Sequence, residues 1–512
     1  MKEKNKYGQY FTIDAVAAFM VSLIRHGKEA RVLEPSCGRG VFLNKLEEAG
    51  YSNIDAFEID WTLNNPFSYV RYESFVSSPL DPYDVVIGNP PYIRWKNLEP
   101  ELKTELESSA LWNKYFNSLC DYLYIFVLKS IEQLVDEGEL IFICTEYWMN
   151  TTHSVSLRNY MMQHGFISEI YHFKEAPLFE GVSASFIIFR YVKSKQKKAT
   201  IDLYRYTRDD EPSFSELSSL SCFEKELVPQ FSINKRWLLA SESRQASLVS
   251  FEMRCAKGAK NLFSEKELYR IGDYCDIGNG MVSGLDKAFN ITAVSSLNKQ
   301  ENDSTIKVLK AKDLGFYKPM SESRYFFIRE RITEEEFMSR MPHVYNHMVD
   351  YKEGLEKRYN YGKDIRYWEF IFPRNLNLFL RPEKRIFVPC KERVSNKNHF
   401  RFVLVSSDFF PLQDVTGILL KPSCRESVEY VTAYLNNSRV FEWLGFKGIV
   451  KGDIVEFSEA PIASIPYRPI NWQDSAQVEL HNRITDSVKK FIETSEESYL
   501  QIINHCFNIL FL

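Results

Sequence analysis

The chain has 512 residues, 45% hydrophobic and 26% charged, a globular composition too long for one ordinary domain, so two or three are expected. Its formal net charge of -4 means that a nucleic-acid surface, if present, lies in local clusters of Lys and Arg and not in the overall charge. The nine cysteines stand singly without metal-ligand spacing, no apolar run reaches the roughly 18 residues of a membrane span, and MKEKNKYGQYFT lacks a signal-peptide core. Those patterns argue against a metal site and a membrane protein, and a cytoplasmic chain with reduced thiols is expected.

From about residue 14 to 190, short apolar strands alternate with helical segments, the pattern of a doubly wound α/β sheet. Helices are expected at Val16 to Ile24, Gly40 to Ala49 and Tyr122 to Val135, the last closed by Gly138 as its C-cap. Strands are expected at Arg31 to Glu34, Ile54 to Glu58, Asp84 to Ile87, Glu139 to Cys144, Ile167 to Phe173 and Ser185 to Tyr191. Polar segments at Lys193 to Lys198 and Thr207 to Ser219 break the alternation, and aromatic-rich, short β-like runs come after them. This sets a boundary near 230, with a first domain over 1–230 and a mixed α/β second domain over 231–512. Ala476 to Asn508 reads as a closing helical segment.

The segment Val32-Leu33-Glu34-Pro35-Ser36-Cys37-Gly38-Arg39-Gly40 runs off a strand into a helix, where open α/β sheets bind ligands. Gly38 and Gly40 let the backbone approach a ligand closely, although a bare glycine turn is more often only a turn, and it is not the dinucleotide fingerprint. The next strand ends in Phe57-Glu58-Ile59-Asp60, which places Glu58 where acidic side chains accept hydrogen bonds from ribose hydroxyls; the plain alternative is a solvated strand-end acid.

Asp84-Val85-Val86-Ile87-Gly88-Asn89-Pro90-Pro91-Tyr92 is the most informative stretch. An apolar strand delivers Asn, two prolines and an aromatic ring to its C-terminal edge, and proline stiffens both itself and the residue before it. An adenine amine is a poor nucleophile because its lone pair is delocalised into the ring. If the Asn89 side-chain oxygen and the Pro90 carbonyl accept both amine hydrogens, the lone pair turns toward a methyl donor, a preorganised electrostatic effect. Tyr92 offers a face on which an extruded base can stack.

These residues resemble the amino-methyltransferases with an (Asn/Asp/Ser)-Pro-Pro-(Tyr/Phe) signature, and more closely the γ-ordered adenine DNA methyltransferases of the TaqI type, in which Tyr7-Gly8-Gln9-Tyr10-Phe11-Thr12 would be the N-terminal cofactor segment. The resemblance implies a Rossmann-like methyltransferase sheet, a C-terminal DNA-recognition domain and S-adenosyl-L-methionine as cofactor, with no metal. It implies that Thr12 meets the methionine part of the cofactor, Glu34 its amino group, Glu58 its ribose and Glu73 its adenine, with Phe75 and Phe126 nearby. Tyr10, Ser36, Cys37, Gly38, Ile59, Ser74 and Asn89 complete the implied cofactor surround. The chain departs from the family's usual residues at Glu73, often Asp, and Ile13, often Pro. Leu178 to Ser185 is similar to the segment that gives a second aromatic to hold the base, which selects Phe179; simple core packing is the alternative.

In the second region, Ile271 to Phe289 resembles the opening of TaqI-type specificity domains, and Ala433 to Ser438 with Ser464-Ile465-Pro466 their closing segment. From Leu355 to Phe400 eleven Lys and Arg stand against five Asp and Glu, interleaved with Tyr, Trp and Asn; a solvated face is the alternative reading. Lys363, Arg374, Lys384, Arg385 and Arg393 are the candidate DNA contacts, basic groups for phosphates and Arg for base edges. The resemblance implies duplex DNA as substrate, action as a monomer, and a separately encoded restriction endonuclease as cognate partner. Only six residues precede Tyr7, so no nuclease domain is expected ahead of it. Methylation of another amino group (cytosine N4, RNA or a protein glutamine) and a DNA-binding specificity protein without catalysis remain the rival readings.

Overall fold

The strand β1 (Val32–Glu34) is buried along its whole length because it lies inside a sheet covered on both faces. The computed structural model describes residues 7–63, 65–79, 81–179, 184–258, 267–359, 362–394 and 397–512, and the chain divides into two compact units, Met1–Gln245 and Ala246–Leu512.

In the first unit β1 is joined by β2 (Ile54–Phe57), β3 (Val70–Arg71), β4 (Tyr83–Gly88), β5 (Leu134–Thr145), β6 (Gly165–Lys174), β7 (Phe186–Lys193), β8 (Thr200–Tyr206) and β9 (Phe223–Pro229). Their order is β3-β2-β1-β4-β5-β7-β6-β8-β9, parallel from β3 to β5, with β7 running antiparallel between β5 and β6. Successive side chains point to opposite faces. Leu33, Val86 and Phe142 therefore pack with α3 (Pro100–Ser108), α4 (Ala110–Tyr115), α5 (Leu123–Gln133) and α6 (Val155–His164). Val32, Val85 and Ile143 pack with α1 (Asp14–Ser22), α2 (Val41–Glu48) and α7 (Phe214–Ser219) on the other face. The strand order reverses at β1, which has β2 on one side and β4 on the other, so a crevice opens beyond the C-terminal ends of β1 and β4.

Three details differ from the sequence reading. Gly138 does not cap α5: the helix ends at Gln133, the chain enters β5 at once, and the left-handed residue is Glu137 (φ 65°). Gly138 serves close packing instead, since a Cβ there would lie 3.2 Å from the Asp84 carbonyl of β4. The sheet also continues into β8 and β9 through the polar segments, and the first unit extends beyond 230 to Gln245. Phe231 and Trp237 explain that extension: their rings stack at 4.4 Å, and Trp237 meets Trp148, just after β5, at 5.5 Å.

Among its described residues the second unit holds three small sheets. Its strands are β10 (Cys275–Asn279), β11 (Thr305–Leu309), β12 (Ser323–Phe326), β13 (Arg385–Pro389), β14 (Lys391–Arg393), β15 (Val403–Val405), β16 (Phe409–Pro411), β17 (Val415–Leu420), β18 (Ile449–Lys451) and β19 (Ile454–Glu456). They pair as β10-β17-β13-β15, β12-β11-β16 and β14-β19-β18. Phe326 of β12, Phe410 of β16 and Leu419 of β17 share one core with Phe289, Phe337, Trp368 and Phe370. The closing segment is two amphipathic helices, Ser475–Thr494 and Glu497–Leu510, separated at Ser495, whose φ of 63° ends the first. Among the described residues no helix is long and apolar enough to cross a membrane.

Candidate cofactor pocket and catalytic segment

The pocket forms where β1, β2 and β4 end. After β1, Gly38 (φ 54°) and Gly40 (φ 83°) take left-handed backbone that other residues rarely adopt, and the turn closes through Cys37 N–H to the Phe57 carbonyl at 2.8 Å. Beyond β2, Glu58 accepts the Gly38 N–H on one carboxylate oxygen and the Asp60 N–H on the other, each at 2.8 Å. It thereby ties the glycine turn to the end of β2. Burial raises the Glu58 pKa above the ordinary glutamate range, and the two backbone N–H groups offset part of that rise.

Glu34 is 1% exposed, and neither carboxylate oxygen has a hydrogen-bond partner among the described residues. Burial, with the charge of Glu58 adding to it, pushes the Glu34 pKa well above the usual range. A buried acid of this kind is costly unless a donor or cation reaches it.

At the end of β4 the Asn89 amide is fixed by the N-terminal segment, its Nδ2 donating to the Tyr10 carbonyl at 2.8 Å and to Thr12 Oγ1 at 3.1 Å. The amide Oδ1 then faces the Tyr92 hydroxyl, whose single proton can go either to it or to the Ile143 carbonyl, 2.7 Å away. The Tyr92 ring carries Tyr10 on its face, with centroids 6.0 Å apart and planes 18° from parallel. Tyr10 also meets the edge of Phe179 at 6.3 Å, and Phe179 is buried against Phe186 at 4.6 Å.

The resulting pocket joins the N-terminal segment to the ends of β1, β2 and β4. Of the residues expected at a cofactor, Tyr10, Ser36, Gly38, Glu58, Ile59, Glu73, Ser74, Phe75, Asn89 and Phe126 line it, as does Pro90. Thr12, Glu34 and Cys37 are buried and are not among its lining residues, nor are Tyr92 and Phe179. Part of the Leu178 to Ser185 segment, residues 180–183, lies outside the described residues. Sequence reasoning did not select Gln9, Phe11, Leu102 or Tyr122, which also line the pocket. Gln9 donates to Asp60 at 3.0 Å; its place in the Tyr7-to-Thr12 motif was the available signal.

Over 508 residues the chain is 42% identical to the type II methyltransferase M.HindII of Haemophilus influenzae, covering 98% of this chain and 97% of that protein. This chain belongs to the type II DNA methyltransferases of restriction-modification systems. It is also 40% identical over 504 residues to the type II methyltransferase M.HincII of Haemophilus influenzae, covering 98% of this chain and 97% of that one. Residues 41–179 of the methyltransferase match the model of the Eco57I restriction-modification methylase family. Its fold is shared with the type IIL restriction-modification enzyme MmeI, solved in complex with DNA, at 11% identity and a TM-score of 0.58 over 97% of this chain and 72% of that one. The methyltransferase uses S-adenosyl-L-methionine. The acceptors beyond β1 and β2 fit that group: the Glu58 carboxylate, in the pocket lining, suits ribose hydroxyls, and the Glu34 carboxylate, buried outside that lining and without a partner among the described residues, suits a cationic amino group.

In the second unit of the methyltransferase the basic candidates separate. Arg385 is a correction: it is fully buried, and its guanidinium donates to the carbonyls of Phe379 at 2.7 Å, Arg381 at 2.6 Å and Ser407 at 2.9 Å, so it braces the fold and does not face DNA. Lys384 is exposed but paired with Glu429 at 3.1 Å. Lys363 is exposed and Arg374 partly so; their cationic groups lie 5.1 and 5.9 Å from the exposed Phe372 ring. Arg393 is exposed on β14.

Proposed function

We propose that this methyltransferase is a γ-ordered enzyme of the TaqI type that methylates N6 of an adenine turned out of duplex DNA. The observation that carries the reading is the fixed Asn89 amide followed by Pro90 in the lining of the pocket. Because Nδ2 is committed to the N-terminal segment, the amide offers only Oδ1 to a substrate, an oxygen with two lone pairs of which the Tyr92 hydroxyl takes one. The Tyr92 hydroxyl carries one proton for two acceptors, Asn89 Oδ1 and the Ile143 carbonyl, and turning it to Ile143 when the base arrives frees both Oδ1 lone pairs.

When bound, S-adenosyl-L-methionine supplies an electrophilic methyl group on a sulfonium. Asn89 Oδ1 and the Pro90 carbonyl accept the two N6 hydrogens, holding the amine so that its lone pair points into the pocket. Tyr92 stacks on the base, which takes the place of the Tyr10 ring, and Phe179 closes the site from the side of Phe186. Glu58 would hold the ribose, and Glu34 would receive the cofactor's amino group.

Transfer of a tritiated methyl group from labelled cofactor to duplex DNA, with nucleoside analysis of the product, tests this directly. N6-methyladenine is expected; label in N4-methylcytosine would overturn the base assignment, and label in RNA or protein alone would overturn the DNA reading.

The second unit recognises the target, through exposed cations of the 355–400 stretch, and the protein acts as a monomer beside a separately encoded endonuclease. Lys363→Gln should weaken binding to all duplexes alike and lower the salt slope by about one unit for a lost phosphate contact. Arg374→Gln should cost about 1–3 kcal/mol at one target position if it reads a guanine edge. Fluorescence titrations across salt concentrations and single-base variants check both. An unchanged slope and an unchanged base preference would move the interface off this face.

A further inference from the structure

Helix α5 is apolar along nearly its whole length, yet it carries Lys129, which is 8% exposed. Its Nζ donates to three carbonyls of a single turn: Phe75 at 2.6 Å, Val76 at 2.9 Å and Ser78 at 2.6 Å. An ammonium has three N–H donors and no acceptor, so donors and acceptors match one to one. Without it, three buried carbonyls would lose their partner. The turn is also closed on itself, Ser78 Oγ donating to the Ser74 carbonyl at 2.7 Å and the Val76 N–H to Ser74 Oγ at 3.2 Å. Glu73, Ser74 and Phe75 of this turn line the pocket, and the Phe75 ring rests on Phe126 of α5 at 5.2 Å.

We propose that Lys129 is a positioning residue for the cofactor, clamping the Glu73–Ser78 turn in the shape that receives the adenosine end of S-adenosyl-L-methionine. The inference rests on the reading of this pocket as the cofactor site. The role is distinct from a contact: Lys129 is not among the residues that line the pocket.

The clamp is sensitive to pH. Burial pulls the Lys129 pKa down to about 8, against the opposing charges of Glu105 from α3 and Glu132 on α5 itself. As the pH rises through that value the amine loses its charge and one N–H, and a carbonyl of the turn is left unpaired.

The test uses the full chain and calorimetry with S-adenosyl-L-homocysteine and with 5′-methylthioadenosine, which has no titrating amine. Lys129→Met should weaken both ligands about tenfold, raise KM for the cofactor and leave kcat at saturation nearly unchanged. Wild-type affinity for methylthioadenosine should fall between about pH 6.5 and 9.5, and the variant's should be flat. Wild-type affinity in a folded Lys129→Met protein overturns the proposal. If that variant does not fold, the wild-type profile decides, and a flat one overturns it. Glu58→Ala separates the two levels: weakened by that change but not by Lys129→Met, binding refutes the clamp alone; unaffected by it, binding refutes the pocket and the clamp together.

Discussion

Asn89→Ala should lower single-turnover methyl transfer by roughly 10²-fold or more while cofactor and DNA affinity stay within a few-fold, the scale of losing one well-placed polar stabiliser. The geometry explains the selectivity of this loss. Asn89 contributes an oriented acceptor and little buried area, and its Nδ2 bonds to Tyr10 and Thr12 serve that orientation. Asn89→Asp should be milder, because an acceptor oxygen remains, but it should not be neutral. Its second oxygen would face the Tyr10 carbonyl, where the amide now donates at 2.8 Å. Normal turnover in the alanine variant would refute the catalytic assignment.

Glu58→Ala should weaken S-adenosyl-L-methionine binding by roughly 1–3 kcal/mol, read by calorimetry on the free enzyme. Two losses combine. The ribose loses its charged acceptor, and the Gly38 and Asp60 N–H groups lose the carboxylate that joins the glycine turn to the end of β2. Glu58→Gln should fall between wild type and alanine, since its amide oxygen replaces only one of the two acceptors. Undiminished affinity would reduce Glu58 to an acid that caps a strand end.

The parts of the molecule that were readable in advance are those where local pattern and burial agree. β1, β2 and β4 are short apolar runs that end in chemistry, Glu34, Glu58 and Asn89, and their parallel pairing brings those ends together. β9 was invisible because Phe-Glu-Lys-Glu-Leu-Val-Pro is an edge strand with its charges in water, and edge strands need only one partner. Arg385 misled because charge density along a chain does not tell which guanidinium turns inward. The signal lay in its C-terminal neighbours, the apolar Ile386-Phe387-Val388, which make Arg385 the buried start of β13. Lys129 was overlooked for the converse reason: one cation in Leu-Tyr-Ile-Phe-Val-Leu-Lys-Ser-Ile looks like a solvent-facing position until the packing on all sides of the helix is known. The rings around Tyr92 were only half readable, since nothing in the sequence brings Tyr10 across to its face.

The strand order of the first unit also governs how the chain reaches its native state. Val32 of β1 pairs with Val85 of β4, and Val85 with Glu139 of β5, so each central contact closes a loop of about fifty residues. Parallel pairing at such separation forms slowly, because loop entropy is lost before any contact is gained. Until it forms, Leu140-Ile141-Phe142-Ile143-Cys144 is an uncharged, β-prone run with both edges open, the kind of segment that pairs with other copies of itself. During synthesis β1, β2 and β4 leave the ribosome well before this run, and a partner edge on β4 is therefore waiting when it emerges. Refolding from denaturant offers no such sequence of arrival, and aggregation should compete there far more strongly than it does on the ribosome.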